Sequence, residues 1–191
     1  IPSTPTLPST VELAFTDKKF KFPQVWKTNI AVDQKLPFGF VGTIEGIFQR
    51  NINAINYYNA NLEAPVGTFS GSDNRPRYAR TDAGNRINDN VSSAVVLTNT
   101  DKGTFYSTTF KLEYPYKKGL WGSVAYTHST ANDLLSPGSV ASGSWTGARS
   151  INGNNDLSLA LSNNNTPHRI VGILGYKIEY GKNVGASTSI N

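Results

Sequence analysis

"FKLEYPYKKGLWGSVAYTHS", residues 110–129, is the stretch on which the fold turns. Phe110, Leu112 and Tyr114 alternate with Lys111 and Glu113; after a Pro/Lys/Gly turn, Gly122, Val124, Tyr126 and His128 alternate with Ser123, Ala125 and Thr127. Successive side chains of a β-strand point to opposite faces, so a period of two predicts a hairpin with one apolar and one polar face. In a soluble protein the apolar face packs on a core. In a transmembrane barrel it meets lipid, and the polar face lines the lumen.

The same design recurs on both sides of this hairpin. Upstream, "VWKTNIAVDQKL" (25–36) sets Trp26, Thr28, Ile30, Val32 and Leu36 against Lys27, Asn29, Ala31, Asp33 and Lys35. After the turn "LPFGF", "VGTIEGIFQRNINAINYY" (41–58) opposes Ile44, Gly46 and Phe48 to Thr43, Glu45, Ile47 and Gln49. Downstream, His168, Ile170, Gly172, Leu174, Tyr176, Ile178 and Tyr180 form one stripe, with Arg169, Lys177 and Glu179 on the other. That stripe is apolar in its middle and amphipathic at its ends, as where Tyr and Trp meet a membrane interface and aliphatic chains meet hydrocarbon.

Connection lengths carry the pattern further. Short turns are expected at 36–40, 115–120 and 180–183, and long Asn/Gly/Ser/Asp-rich connections at about 59–92 and 132–166. Alternating short and long connections describe an up-and-down barrel with turns at one rim and loops at the other. Within "VVLTNTDKGTFY" (95–106), Asp-Lys-Gly predicts either a bend or a small hairpin. The opening "IPSTPTLPST" reads as extended loop, with order beginning near residue 20.

Composition agrees with this class. Of 191 residues only 16% are charged, against about 25% in ordinary soluble domains, and strand and turn residues outweigh helix formers, so an all-β protein is expected. The formal charge of +5 owes much to loop arginines (Arg75, Arg77, Arg80, Arg86), and no recognition motif accompanies them, so no nucleic-acid partner is expected. Cysteine is absent, which excludes disulfides and Cys-based zinc sites. Methionine is absent too, so the chain is expected to be a piece of a longer protein or a mature product. No apolar run approaches the roughly 18 residues of a transmembrane helix, a test to which barrel strands are blind.

Constellations that could carry chemistry are sparse. His128 and His168 lack metal-motif spacing and read as interfacial or hydrogen-bonded imidazoles. "NGNND" (152–156) offers oxygen ligands for Ca²⁺ but lacks the length and closing glutamate of an EF-hand loop, and it reads first as an irregular turn. Glu45, Glu113 and Glu179 fall on polar faces beside basic residues and read as solvated lumen charges, not as a catalytic pair. Trp145, Tyr57 and Tyr58, in or near the long loops, could stack on a sugar or hold the loops together. No catalytic, cofactor-binding or metal site is assigned, no ligand-binding residue can be singled out, and no enzyme activity is expected.

Four segments in order, "FKFPQVWKTNIAVDQKLPFGFVGTIEGIFQRNINAINYYNANL", "NTDKGTFYSTTFKLEYPYKKGLWGSVAYTHSTANDL", "GSVASGSWTGARSINGNND" and "PHRIVGILGYKIEYGKN", resemble the barrel region of Oar-like TonB-dependent outer-membrane receptors over roughly residues 18–190. The resemblance implies a location in the outer membrane of a Gram-negative cell and import of a ligand. It also implies partners: outer-membrane lipid, the rest of the barrel and plug of a parent chain, TonB through an N-terminal part not seen here, and scope for a surface lipoprotein. The whole would have about 22 strands around a plugged lumen, of which this chain supplies about six to eight. Residues 1–19 are then a loop or linker and 20–191 a partial antiparallel transmembrane barrel, with short periplasmic turns and long extracellular loops. The rival reading is a secreted or surface-exposed β-sandwich that binds carbohydrate or serves adhesion, in which the apolar faces pack on each other.

Overall fold

The structure, a computed structural model, describes residues 10–138, 140–148, 150–180 and 186–190. In chain order the elements are β1 (Val11–Thr16), β2 (Gln24–Lys35), β3 (Val41–Asn59), β4 (Gly67–Thr68), β5 (Pro76–Arg77), β6 (Val91–Thr100), β7 (Thr104–Lys117), β8 (Leu120–Asp133), α1 (Ala141–Thr146), β9 (Ala160–Leu161), β10 (His168–Tyr180) and β11 (Ala186–Ile190). The chain forms two compact units. One comprises Ile1–Val25, Asn51–Gly103 and Asp133–Ser162, the other Trp26–Arg50, Thr104–Asn132 and Asn163–Asn191.

The second unit is a sheet in the order β2-β3-β7-β8-β10-β11. The pairs β3–β7, β7–β8, β8–β10 and β10–β11 are all antiparallel. For β2 the side chains show the direction: Thr43 Oγ1 donates to Asp33 Oδ1 at 2.5 Å and Asn29 Nδ2 to Glu45 Oε1 at 2.6 Å. As one strand's numbers rise the other's fall, so β2 and β3 form an antiparallel hairpin. β7 and β8 each run for 14 residues and β10 for 13. A tilted strand needs about 9–11 residues to cross a bilayer, so all three are long enough. Among the described residues β2 and β11 each have one neighbour, and the sheet is not closed.

Register shows why the alternation matters. Ile44, Phe110, Tyr126 and Ile170 face one another across four strands, and the adjacent row is Thr43, Lys111, Ala125 and Val171. Because side chains alternate, these rows lie on opposite faces, one apolar and one mixed to polar. The apolar face is uncovered: Phe110 is 50% exposed, Val124 48% and Leu174 69%. Buried apolar residues among those described are Ala94, Val95, Val96 and Ala148, all in the first unit. A sandwich would hide the large side chains of the second unit inside a core, and here they have none to enter.

Each short turn sets a glycine, which takes positive φ freely, after a residue held at positive φ by the turn. Lys118 (φ 52°) and Gly119 (φ 91°) form a two-residue connection between the paired Lys117 and Leu120. Positive φ at both positions matches the twist of a hairpin. A Cβ on Gly119 would also collide with the Lys177 carbonyl oxygen. The expected 115–120 turn is thus tighter than its sequence span, with β7 continuing to Lys117. At 36–40, Phe38 (φ 65°) and Gly39 (φ 90°) turn the chain, and the Leu36 N–H donates to Phe40 O at 2.8 Å. The turn expected at 180–183 lies, beyond Tyr180, outside the described residues.

In the first unit, β6 pairs antiparallel with the later part of β3, β1 lies parallel on β6, and α1 packs against β6. Val95, on β6, is fully buried. Two expectations change here. Residues 1–19, expected as a loop or linker with order beginning near residue 20, contain β1, because in "VELAF" Val11, Leu13 and Phe15 alternate with Glu12 and Ala14 behind the prolines that dominate the opening. The Asp-Lys-Gly stretch at 101–103 is a bend and not a hairpin, since β6 and β7 both take β3 as partner.

Candidate functional site

Two surfaces carry polar chemistry. The first is the polar face of the β2–β10 sheet. Its charged groups have local partners: Asp33 accepts from Thr43, Glu45 from Asn29, and Lys111 bridges to Glu113 one row away on the same strand. Thr109 and Thr127 share a 2.9 Å hydrogen bond on the same face. Glu45 and Glu113 pair with Thr109 and Val41 respectively, which places them four residues apart along the sheet, a separation of about 13 Å. They are not a close carboxylate pair. Of Glu179 the backbone pairing with Ser187 is described, and its side chain lies outside the description.

The second surface belongs to the first unit and is built from its long connections. Asn59 and Asn61 are only 5% and 6% exposed, so each amide needs partners. Asn59 Oδ1 accepts from the N–H groups of Asn61 and Ala94, both at 2.9 Å. Asn61 Nδ2 donates to the carbonyls of Asn88 and Val91 at 3.1 and 2.6 Å, and its Oδ1 accepts from Asn88 N at 2.9 Å. The amide of Asn61 thereby joins the two ends of the 60–90 connection. Asn155 does the same for the later loop: its Oδ1 accepts from Asn59 N and Trp145 Nε1, each at 2.8 Å, and its Nδ2 donates to Asn59 O at 2.9 Å.

Beside this amide cluster lies a cavity of about 510 Å³ lined by Glu12, Asp82, Arg86, Ser92, Ser93 and Trp145, among others. Carboxylates, a guanidinium, hydroxyls and an indole converge there. Such a lining suits a polar ligand with a flat or ring-like part.

Against that geometry, the family model for the outer membrane beta barrel domain matches residues 1–189. The chain belongs to this family. No curated protein and no solved structure matches it at a significant level. The apolar face of this outer-membrane barrel domain therefore meets lipid, and its location is the outer membrane.

The barrel domain places the residues singled out from sequence as follows. His128 and His168 stand directly opposite each other on the outward face, ring centroids 5.0 Å apart, and Tyr126 Oη lies 2.8 Å from His168 Nδ1. No group of three or more metal-ligating side chains occurs among the described residues. In "NGNND" the groups turn to protein: Asn154 Nδ2 donates to the carbonyls of Trp145 and Thr146, and the Asn155 oxygen already accepts two hydrogen bonds. Trp145 both packs its loop through Asn155 and lines the cavity. Tyr57 and Tyr58 lie near the end of β3, opposite Leu97 and Val96, next to the long connection that follows.

Sequence reasoning missed Asn59 and Asn61. The available signal was "NANL" at the end of an apolar-periodic strand, where buried amides close loops. The partners 27 to 96 residues away were not legible.

The 60–90 connection carries a titratable pair. β4 and β5 form a small hairpin whose tip holds Asp73 and Arg75. Arg75 Nε and Nη2 donate to the two Asp73 oxygens at 2.9 and 2.7 Å, and the Arg75 backbone N–H adds a third bond at 3.1 Å. These hydrogen bonds, the side-chain ones foremost, lower the Asp73 carboxyl from 3.8 to about 2. A depressed folded-state pKa means that its stabilisation is complete above pH 3.8 and fades as pH falls through 2. Arg75→Ala is expected to return the Asp73 titration toward 3.8, read by carbon-13 NMR of the carboxyl. An unmoved midpoint would show that the guanidinium is not its partner in solution.

Proposed function

We propose that this domain is part of the wall and outer mouth of a TonB-dependent receptor that imports a ligand across the outer membrane, without enzymatic activity of its own. The observation that carries the reading is the loop architecture of the first unit. Its long connections are fastened by buried amides beside a polar and aromatic cavity, which gives the domain a formed place for a ligand. The alternation of short and long connections supports the same reading, as does the resemblance to Oar-like receptors.

Backbone satisfaction adds a physical requirement. In hydrocarbon each unpaired backbone group costs several kcal/mol, so further strands must pair with the free edges of β2 and β11. Those strands and a plug in the lumen are the expected partners, with TonB reached through the plug side.

The test uses the full-length parent protein extracted from membranes. It is expected to form a complex with the periplasmic domain of TonB, and cells are expected to lose uptake of its ligand when the proton gradient is collapsed. A full-length receptor that binds no TonB, or uptake that continues in de-energised cells, would sink the import reading while leaving the barrel assignment intact.

A further inference from the structure

The outward face of the β2–β11 sheet carries a groove that lipid contact alone does not require. It encloses about 360 Å³ and is walled by Phe40, Leu112, Tyr114, Val124 and Leu174 over Gly122. Register places Tyr114, Gly122 and Leu174 side by side in one row. The depression exists because the middle position of that row has no side chain. Gly122 is buried under its neighbours, and a Cβ there would stand 3.1 Å from Leu174 Cδ1.

An irregularity in β7 places a charge beside the Tyr114 end of the groove. β7 slips register between Tyr114 and Lys117, next to Pro115, which has no N–H to give to the ladder. Without the slip, alternation would send residue 117 to the polar face with Lys111 and Glu113. With it, Lys117 pairs with Leu120, which in turn pairs with Tyr176 on the outward face. The Lys117 ammonium lies 3.9 Å from the position a Cβ on Gly39 would take, and Tyr114 Cε2 lies 4.0 Å from the same point. Phe40 and Tyr114 pack with ring centroids 5.1 Å apart. The bulge thus sets a cation against the aromatic wall of the groove.

A lysine on a lipid-facing surface is costly near the midplane and favourable where its ammonium reaches headgroups. At a rim of short turns, the adjoining headgroups belong to the periplasmic leaflet. We propose that this groove seats one glycerophospholipid of that leaflet, its phosphate on Lys117 and one acyl chain lying over Gly122 between Tyr114 and Leu174. The charge at the rim matches the phosphate, and the apolar walls match the chain.

The experiment is native mass spectrometry of the full-length protein in mild detergent, titrated with dipalmitoyl phosphatidylglycerol. The wild type is expected to retain one lipid. Lys117→Glu, which reverses the rim charge, and Val124→Trp, which fills the groove without touching Lys117, are each expected to weaken retention about tenfold. Lys27→Glu, on the opposite face, is expected to leave it unchanged. Should Lys117→Glu fail to fold, as judged by circular dichroism, Lys117→Gln gives the same reading with a smaller effect. Wild-type retention in both groove variants overturns the proposal. So does equal retention of dipalmitoylglycerol, which lacks the phosphate, or preferential displacement by lipopolysaccharide from the other leaflet.

Discussion

Val124→Arg is expected to destabilise the folded barrel by about 2–4 kcal/mol in lipid, whereas Ser123→Arg, one residue earlier, should change it by less than about 0.5 kcal/mol. The two positions differ only in the face they present. Val124 lies in the row of Gly42, Leu112 and Gly172. That row is midway between the rim row of Leu120 and Tyr176 and the row of His128 and His168. It therefore falls near the middle of the apolar band, where a guanidinium has neither water nor headgroup within reach. Ser123 faces the lumen directly opposite Glu113, so an arginine there gains a carboxylate and stays hydrated. Urea unfolding of the full-length protein in phospholipid vesicles measures both. Equal losses at the two positions would mean that both faces are buried alike, and a larger loss at Ser123 would mean that the lumen and lipid faces have been exchanged.

That contrast between neighbours is also what made the sheet legible in the sequence. A strand's faces are set by covalent geometry alone, so the alternation in 110–129 shows which residues share a face before any partner strand is known. Ile44, Phe110, Tyr126 and Ile170 fell on one face in their separate segments, and the structure aligns them in one row. Features that depend on distant partners were illegible. β1 was hidden because its pairing with β6 joins residues about 80 positions apart, while the local signal came from prolines. The partner of Tyr57 and Tyr58 is a further case, because the strand pattern of 41–58 ends there without showing what pairs with it. They are held in β3 by β6, which lies across the 60–90 connection. The cavity of the first unit was least legible of all. It draws Glu12, Asp82 with Arg86, and Trp145 from three separate stretches, and no local pattern connects them. The bulge at Pro115 lies between these extremes: a proline inside a strand pattern announces an irregularity, but not that Lys117 will change faces.

Asn61→Ala is expected to loosen the 60–90 connection by roughly 2–4 kcal/mol while leaving the β7–β8–β10 sheet intact. The amide of Asn61 makes three hydrogen bonds at the base of this loop, two to carbonyls of Asn88 and Val91 and one from the Asn88 N–H. Alanine removes the amide and supplies nothing, so those backbone groups must find water in a place where residue 61 is 6% exposed. An unsatisfied buried polar group costs about 1–3 kcal/mol, and more than one is left behind. The loss is local because Asn88 lies in the connection and Val91 begins β6, which pairs with β1 and β3 and not with β7, β8 or β10. Asn74→Ala, at the exposed tip of the same connection, should have almost no effect. Hydrogen exchange separates the outcomes. The N–H of Ile87, which donates to Asn61 O, and that of Glu63, which donates to Asn85 O, should lose protection first, while amides of Leu112 and Val124 keep theirs. Exchange that accelerated equally in the sheet would mean that the loop and the sheet unfold together, and the buried amides would then stabilise both and not the loop alone.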